Sequence, residues 1–494
     1  MLFPFFLISV FIYVTTGEME MGKRKLLIIA AAVSLSFFAA AETLPDTTEL
    51  LLSYIENDSE LKNLTIAAKK AQLSYDSTKI DKGFDVTLAS GNVTIKLSED
   101  GTNVSAKPSV KASLPQASNL SAEVQTSVNS NTDETKVSDT AFSLGVDILS
   151  TSTLSNKISL MKAERSVVEA ERKLSKRVLS AEKEFYTELK GLLTTINSIM
   201  SSKQQLYSDT IDFEAVKIQG YSKSSSTYRK AELKVITNQH DIESSLHSFI
   251  HDAVVFYKKC GYDISIDENT DLMSLVPSDI EAGDALNILD FNKADYTSIE
   301  SAEWTYKINS MQRSTNKTYS LSATAGYTFD NSSTQSDTVD AGLSGKIGGL
   351  SLGAGVSVPV GTESSYPAIT LSMSLSPNTF RKNSISKKQD ALTEEQELLA
   401  IQTAESEYET KVVETQQKLD SLLWDQKTIE QNLLMYEELE RDMAAMYKQG
   451  FTSESEYLSA QTNLNTYIIK KVMNQIELIM YNDDVVMNFI PQEN

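Results

Sequence analysis

The sequence predicts an α+β membrane protein that is internally duplicated, with long coiled-coil helices and short β-strands in each half. Two blocks of alternating apolar and small polar residues, ending near residues 149 and 375, predict the strands. Each block precedes a stretch with almost no proline or glycine, 153–219 or 381–449, which predicts a very long helix. The helices that open the two halves, beginning near Asp58 and Ala294, are offset by roughly 235 residues, and we therefore expect one structural unit repeated twice.

Composition and charge exclude several classes of protein. Acidic residues outnumber basic residues by 67 to 45, and the formal net charge is −22, whereas a protein that coats nucleic acid is expected to be basic. The one cysteine, Cys260, excludes an intramolecular disulfide and a cysteine-rich zinc site. No set of nucleophile, base and orienting residue stands out. We therefore expect no enzyme activity, no cofactor and no nucleic-acid partner.

The N-terminus has the features of an export signal. A basic segment, an apolar stretch and three small residues follow one another between Met21 and Ala41. We expect a signal peptide over 1–41 and a true translation start at Met19 or Met21. A transmembrane helix at 26–41 is the alternative, but its apolar run is shorter than the about 20 residues that span a bilayer.

The duplication divides the rest of the chain into segments. In the first half we expect an opening helix at 42–83, strands with an elaborated loop at 84–149, and a long helix, tip turn near 220 and return helix at 150–260. A linker at 261–285 leads to the second half, with its opening helix at 286–317, strands at 318–377, long helix, tip turn near 450 and return helix at 378–488, and a tail at 489–494.

The strands combine one apolar face with one face of small polar residues. In 142–148, 319–329 and 369–375, apolar residues alternate with Ser, Thr, Gly or Asp. This pattern fits the strands of a membrane barrel with a wet lumen, and a soluble β-sandwich is the alternative. Four aromatic residues are candidates for a membrane-interface girdle, with ordinary sheet packing as the alternative: Tyr319, Tyr327, Phe329 and Tyr366.

The two long helices show coiled-coil spacing. Apolar residues recur at intervals of three and four, as expected for helices that pack side by side. At about 1.5 Å per residue each helix is roughly 100 Å long, which exceeds the size of a compact domain. The predicted seams are Leu174, Val178, Ala181, Phe185, Leu189, Leu192, Ile196 and Ile199 in the first helix, and Ile429, Leu433, Tyr436, Met443 and Met446 in the second.

A similar turn interrupts each long helix. Glycine readily adopts the left-handed conformation that ends a helix, and Ser or Thr residues cap the helix that follows. Glu454 and Glu456 then fall in the first turn of the second return helix, where negative charge is favourable. The two turns carry the pairs Gly220-Tyr221 and Gly450-Phe451.

At these turns the sequence resembles the TolC family of outer membrane efflux proteins. The family's Tyr/Phe-x-x-Gly-Leu-x-Ser turn and Leu-x-Ala-Gln stretch are similar to Tyr447-Lys-Gln-Gly450-Phe-Thr-Ser and Tyr457-Leu-Ser-Ala460-Gln461, and the copy at Gly220 is degenerate. Asp58-Ser-Glu-Leu61 resembles the family's Asn-Pro-Glu-Leu opening, and Ser376-Pro377-Asn-Thr-Phe380 resembles its Pro-x-Phe entry into the long helix. Together these motifs extend over nearly the whole chain after the signal.

The resemblance implies a homotrimer in the outer membrane, with a periplasmic extension. Each chain would add four strands to one twelve-stranded barrel among membrane lipids, and its helices would form a periplasmic α-barrel. The tip turns, with Gly220, Tyr221, Gly450 and Phe451, would contact a periplasmic adaptor protein that links the channel to an inner-membrane pump. The implied function is passive conduction in a tripartite efflux or type I secretion system.

The resemblance also implies acidic residues at the channel entrance. Glu456 falls where one such acid is expected, and Ser459 stands where a second would be. We expect Glu454 and Glu456 to bias the entrance toward cations, with Lys223 and Arg229 as candidate partners that hold it shut.

Two further features bear on function. Residues 84–149 contain about four extended segments where the family has two, and we expect Pro108 and Pro115 to interrupt the middle ones. A trimeric coiled-coil scaffold or adhesin without a pore is the alternative function. A second block of strands in mid-chain favours the channel, because a coiled-coil stalk does not require one.

Two possible metal sites lack essential ligands. His247 and His251 are spaced by one helical turn, but no third ligand is evident. The segment from Asp263 to Asp271 alternates oxygen-bearing side chains without the central glycine of a calcium loop, and a linker is the favoured interpretation.

Overall fold

The computed structural model describes residues 45–98, 101–131, 134–149, 151–315, 319–329, 336–361 and 366–490. The expected signal peptide at 1–41 and residues 491–494 of the expected tail lie outside the described residues. The chain divides into two compact units. The turn unit comprises the residues up to Asp58, Glu184–Glu281 and Leu433–Met473, and the sheet unit comprises Ser59–Lys183, Ala282–Asn432 and the residues from Asn474 onward.

Long helices and short strands alternate along the described chain. The α-helices are α1 (Thr47–Asn57), α2 (Ser59–Asp81), α3 (Ser152–Ile218), α4 (Ser226–Lys259), α5 (Thr297–Thr315), α6 (Pro377–Lys448) and α7 (Glu454–Met487). The strands are β1 (Asp85–Ala89), β2 (Thr94–Ser98), β3 (Gly101–Ala106), β4 (Ser109–Leu114), β5 (Leu120–Ser130), β6 (Thr135–Leu149), β7 (Tyr319–Phe329), β8 (Asp337–Ile347), β9 (Leu350–Val360) and β10 (Ala368–Leu375). Short 3₁₀ turns occur at Leu272–Leu275, Ile288–Asp290 and Lys293–Asp295.

The sheet unit contains one antiparallel sheet of ten strands in the order β1-β4-β5-β6-β7-β8-β9-β10, with the β2–β3 hairpin beside β5. The expectation of four strands from one chain is therefore wrong. Pro108 and Pro115 lie directly before and after β4, where a missing N–H breaks no ladder, so they bound a strand and do not interrupt one. In the second half, Gly348 (φ +62°) allows the tight turn that makes 337–360 a hairpin.

An aromatic cluster forms part of the core of the sheet unit. Tyr296 at the start of α5, Tyr408 on α6 and Phe489 after α7 are buried, with ring centroids 5.2 to 6.5 Å apart. The Tyr481 hydroxyl, also buried, donates a 3.0 Å hydrogen bond to the carbonyl oxygen of Leu286. These contacts hold α5, α6 and the end of α7 together.

The turn unit is packed around the first long helix. The Phe185 ring lies 5.2 Å from Phe256 on α4 and 5.6 Å from Tyr54 on α1. Of the predicted seam, Ala181, which belongs to the sheet unit, and Phe185, Leu189, Ile196 and Ile199 are buried. Leu193 is completely buried, and Leu192, which the prediction placed in the seam, is only partly buried. The next buried residue after Leu189 lies four positions further along the helix and not three.

Among the described residues, no helix combines membrane-spanning length with the apolar content that crossing a bilayer requires.

Candidate functional site: the tip turns and the two-faced sheet

The two tip turns have the same backbone geometry. Gly220 and Gly450 both have φ of +77°, in the left-handed region that glycine enters without strain. At the second turn the amide of Phe451 donates to the carbonyl of Met446 (2.9 Å) and the amide of Gly450 to that of Tyr447 (3.0 Å), which is the Schellman ending of a helix. At the first turn the Gly220 amide bonds Lys217 in the same way.

Large apolar side chains are exposed at both turns. Ile218 is 85% exposed and Phe451 is 79% exposed, and Tyr221 is also largely uncovered. Isolated exposed apolar residues are common on protein surfaces, but here each of the two tip turns carries at least one of them. Their arrangement suits contact with another apolar surface.

Glu456 belongs to a capping box. Its Oε2 accepts hydrogen bonds from Thr452 Oγ1 (2.5 Å), from the Ser453 amide (3.0 Å) and from Ser453 Oγ (2.9 Å), while the Glu456 amide donates to Ser453 Oγ (3.2 Å). The bonds from Thr452 and Ser453 lower the pKa of Glu456 to about 2. Within one chain this carboxylate is therefore ionised and already held by its own turn.

The expected ion pairs at the turns do not form within one chain. Among the described residues, neither Lys223 nor Arg229 lies in a salt bridge, and Glu454 and Glu456 have neutral partners. Glu456, three residues after the capping Ser453, accepts the free amide of that serine, and Glu454 accepts the hydroxyl of Tyr207.

Tyr207 and Glu454 link the two repeats inside the turn unit. The Tyr207 hydroxyl on α3 donates a 2.6 Å hydrogen bond to Glu454 Oε2 at the start of α7. This bond to a carboxylate raises the pKa of Tyr207 to about 12. Sequence inspection missed Tyr207, because no local pattern relates residues that are 247 positions apart.

Asp209, two residues further along α3, is a buried carboxylate with a complete set of partners. It is 2% exposed and accepts hydrogen bonds from Gln205 (2.8 Å), Lys234 (2.5 Å) and Asn238. Burial raises the pKa of Asp209, but the bonds from Lys234 and Gln205 outweigh it and lower the pKa overall. The bonds from Lys234 and Asn238 on α4 to Asp209 on α3 hold these two helices together.

Stacked aromatic rings join the two helices of the second repeat. Tyr447 on α6 stacks on Tyr457 on α7 at 5.3 Å, and Tyr436 stacks on Tyr467 at 4.7 Å. Stacked rings contribute packing without desolvating a charge. The first repeat has an aromatic contact as well, between Phe213 on α3 and Tyr228 on α4 at 5.2 Å, and the ion pair of Asp209 with Lys234 is added to it.

The sheet has two chemically different faces. Strand register places apolar residues in rows that cross eight strands on one face, and small polar residues or glycines in rows on the other. One apolar row reads Val86, Ala112, Ala122, Leu144, Ala325, Ala341, Val356 and Ile369. One polar row reads Ser113, Ser121, Gly145, Thr324, Gly342, Gly355 and Thr370.

The apolar face is uncovered. Large side chains on it are exposed on every strand of the second half, for example Leu343 on β8, Val356 on β9 and Leu371 on β10. The four aromatic candidates, Tyr319, Tyr327, Phe329 and Tyr366, are exposed as well. A soluble β-sandwich would cover this face with a second sheet, and the described residues contain one sheet.

Ion pairs join four helices of the sheet unit into a row. Arg177 on α3 bonds Glu60 on α2 at 3.3 Å, and Arg172 on α3 bonds Glu300 on α5 at 2.8 Å. Arg313 on α5 bonds Glu397 on α6 at 2.7 Å. The order α2, α3, α5, α6 follows the order of the strands to which these helices connect, from β1 to β10.

Glu300 is the most strongly perturbed acid of this row. Both of its oxygens accept bonds from Arg165, and Oε2 also accepts one from Arg172. Burial raises the pKa of Glu300, but the two guanidinium groups outweigh it and lower the pKa to about 2. Arg165 also lies over the Trp304 ring at 5.0 Å.

The possible metal sites of the sequence have other roles. His247 Nε2 lies 3.7 Å from a Glu268 oxygen, and Asp271 caps the 3₁₀ turn that follows it. Among the described residues, no group of three or more His, Cys, Asp or Glu side chains is arranged to hold a metal. Cys260 is fully buried, and burial raises the pKa of its thiol to about 12.

Comparison with known proteins identifies relatives. The chain is 20% identical over 457 residues to an uncharacterized protein of Treponema pallidum (strain Nichols), covering 90% of this chain and 82% of that protein. A solved membrane protein from Pseudomonas aeruginosa is 12% identical, with a TM-score of 0.46 over 92% of this chain and 97% of that one. The open MtrE outer membrane channel of Neisseria gonorrhoeae is 14% identical, with a TM-score of 0.44 over 90% of this chain and 88% of that one.

Family models cover both halves. Residues 50–280 match the TP096X N-terminal domain and residues 281–492 match the TP096X C-terminal domain. The division falls in the segment that links the two repeats. The chain therefore belongs to the TP096X family, as a protein built from its N-terminal domain followed by its C-terminal domain.

Proposed function

We propose that this protein is an outer membrane channel of a tripartite efflux or type I secretion system, which conducts substrates passively to the exterior. The observation that supports it most is the two-faced sheet. Its exposed apolar face suits contact with lipid, and its Ser, Thr and Gly face suits a water-filled lumen.

Energetics favour a lipid environment for this sheet. Exposed apolar area costs about 25 cal/mol per Å² in water, so rows of exposed Leu, Val and Ile across eight strands are unfavourable unless something covers them. Lipid tails cover such a face without a protein partner. Small polar residues on the other face leave room for water and interact weakly with a passing solute.

The remaining parts of the chain fit the same proposal. In a homotrimer the long helices would extend the channel into the periplasm, and the exposed apolar residues at the tip turns would contact a periplasmic adaptor that leads to an inner-membrane pump. The bond between Tyr207 and Glu454 would hold the entrance closed. The ionised Glu456 would favour cations there.

Two neighbouring positions on a central strand test the proposal. Leu343 lies on the apolar face of β8 and Ser344 on the polar face, and both are exposed. We expect Leu343→Lys to abolish membrane assembly, because a lysine facing lipid costs about 2–4 kcal/mol near the bilayer centre. We expect the control Ser344→Lys to assemble and to reduce cation conductance in a planar bilayer.

The measurements are heat-modifiable migration of the outer membrane fraction, and single-channel currents of the purified protein. A protein that is fully soluble, conducts no ions and tolerates Leu343→Lys would contradict the channel. Such a result would instead support a scaffold or adhesin without a pore.

A further inference from the structure

The apolar face of the sheet contains a groove at the end nearest the helices. The groove has a volume of about 890 Å³ and is lined by residues of β7, β8, β9 and β10. Strand register places Leu321, Gly345, Leu352 and Met373 side by side across these strands. Because Gly345 has no side chain, the row is indented at β8. A Cβ at Gly345 would lie 3.6 Å from Leu321 Cδ1, an ordinary contact, so the indentation has room for a larger group.

The walls of the groove are mostly apolar and open to the surroundings. Leu371 and Met373 on β10 are 77% and 71% exposed, and Ile347 on β8 is 70% exposed. The volume lies in the range of about 300–1,000 Å³ that is typical of ligand sites. Apolar walls without a fixed set of hydrogen-bonding groups suit a flexible hydrocarbon chain.

The groove lies directly beside the start of α6. β10, which forms one of its walls, ends at Leu375, and α6 begins at Pro377. The Ser376 amide donates a 2.8 Å hydrogen bond to the carbonyl of Gly349 in the turn between β8 and β9. This bond holds the first residues of α6 against the end of the groove. In the proposed channel, the end of the apolar face is the depth at which lipid tails give way to headgroups.

Three of the helices next to the sheet begin or end there with bases and no acids, although the chain as a whole is acidic. Segments 152–163 of α3, 304–315 of α5 and 377–389 of α6 contain eight bases and no Asp or Glu. The rest of α6, 390–448, contains fifteen acids and five bases. The sheet-side ends of these helices are therefore positive. The eight bases are Lys157, Lys162, Lys307, Arg313, Arg381, Lys382, Lys387 and Lys388.

Four of these bases lie close to the start of α6 and are exposed: Arg381, Lys382, Lys387 and Lys388. Among the described residues none of the four is in an ion pair. Because successive residues are about 100° apart, Arg381, Lys382 and Lys387 point to three different sides of the helix, so a base is available on the side of the groove. Arg381 and Lys382 lie roughly 6–8 Å along the axis from Pro377, and the headgroup region of a leaflet is about 5–8 Å deep.

We propose that the groove and the bases at the start of α6 form a binding site for an anionic phospholipid. One acyl chain lies in the groove over Gly345, and the phosphate contacts the bases. The inference rests on the proposed channel, because it requires the apolar face to lie in a membrane. It also goes further, since contact with lipid tails requires no charge, and a chain of net charge −22 repels anionic headgroups unless bases are concentrated beside them.

Native mass spectrometry of the full chain, purified from membranes in detergent, tests the charge. Phosphatidylglycerol or phosphatidylcholine with the same acyl chains is added, and the bound lipids are counted. We expect the wild type to retain phosphatidylglycerol more strongly, by roughly fivefold for each base that contacts the phosphate. The combined variant Arg381→Gln, Lys382→Gln, Lys387→Gln and Lys388→Gln should lose this preference.

A matched control lies further along the same helix. The combined variant Lys411→Gln, Lys427→Gln, Arg441→Gln and Lys448→Gln also replaces one arginine and three lysines of α6, so the change of net charge is identical. We expect it to keep the preference for phosphatidylglycerol, because these bases are remote from the sheet along the helix.

Gly345→Leu tests the groove. Leucine fills the indentation while the face remains apolar, so retention of both lipids should fall. The control Ala341→Leu enlarges a residue on the same strand and the same face, four positions away and outside the groove, and should leave retention unchanged. Heat-modifiable migration of each variant in the outer membrane fraction shows whether it has assembled.

Three results would overturn the site. They are equal retention of the two lipids by the wild type, equal loss of preference in the two combined variants, and undiminished retention by Gly345→Leu. Complete displacement of the lipid by excess inorganic phosphate would also overturn it, because the bases would then bind free phosphate. Ion currents of the wild type decide the channel separately, so a conducting protein without lipid preference would leave the channel intact.

Discussion

The Tyr207 hydroxyl donates a 2.6 Å hydrogen bond to Glu454, which joins the long helix of the first repeat to the return helix of the second. Glu454 lies four residues after Gly450, and Tyr207 lies 13 residues before Gly220 on the same long helix. Glu454 is exposed and Tyr207 is half-buried, so the bond forms in competition with water and is easily broken. A hydrogen bond of this kind can keep an entrance closed, and breaking it requires little free energy.

In the proposed channel we expect Tyr207→Phe to increase the open probability, because the ring remains while the bond to Glu454 is lost. Single-channel recording at neutral pH measures this. Tyr75→Phe on α2 removes a hydroxyl that has no hydrogen-bond partner among the described residues and should leave the currents unchanged. Identical currents for Tyr207→Phe and wild type would exclude this bond from the gate.

Glycine substitutions should have opposite effects at two positions. Gly450→Ala places a Cβ at φ +77°, which costs roughly 1–2 kcal/mol although no atom lies within 4 Å of it. Gly191→Ala lies in the interior of α3 with equally open space and should stabilise by about 0.5–1 kcal/mol. Thermal unfolding followed by circular dichroism distinguishes them, and equal shifts for both variants would contradict the assigned turn.

Glu300→Gln should destabilise the row of helices by roughly 2 to 4 kcal/mol, because it leaves Arg165 and Arg172 largely buried without their shared carboxylate. Glu303→Gln on the same helix has no ion pair among the described residues and is the control. Thermal melting is the measurement. A loss no larger than that of the control would contradict the buried triad.

The same carboxylate predicts a pH dependence. The pKa of Glu300 is about 2 in the folded protein against an ordinary value of 4.5, so its contribution is complete above the ordinary value and is lost as the pH falls toward 2. Wild type should therefore lose stability between about pH 5 and 2 more steeply than Glu300→Gln. Parallel curves for the two proteins would exclude Glu300 as a source of acid sensitivity.

The capping box at the second turn gives a local prediction. Ser453→Ala removes the acceptor for the Glu456 amide and should cost about 1 kcal/mol, seen as faster amide exchange in the first turn of α7.

Glu456→Gln keeps a capping side chain but removes the charge, so we expect reduced cation preference with little loss of stability. Unchanged ion selectivity would exclude Glu456 from the entrance.

Local patterns predicted the helices and turns well. The absence of proline and glycine over 381–449 predicted the long helix α6, whose observed bounds are Pro377–Lys448. Gly220 and Gly450 predicted the C-terminal ends of α3 and α6. The strand number was predicted less well. The glycine-rich alternation at 342–355 could belong to one long strand or to two strands, and the structure shows a hairpin that turns at Gly348.

By itself, the sequence determined where helices, strands and turns lie, that the unit is duplicated, and that each strand has one apolar face, because these depend on residues close together in the chain. The tertiary structure decided which distant residues meet: Tyr207 with Glu454, Arg165 and Arg172 with Glu300, and the order of ten strands in one sheet. It also decided that Glu456 is held by its own turn and that large apolar residues such as Leu73 on α2 and Leu392 on α6 remain exposed. The physical reason is that long-range pairing depends on packing geometry, which local spacing does not encode.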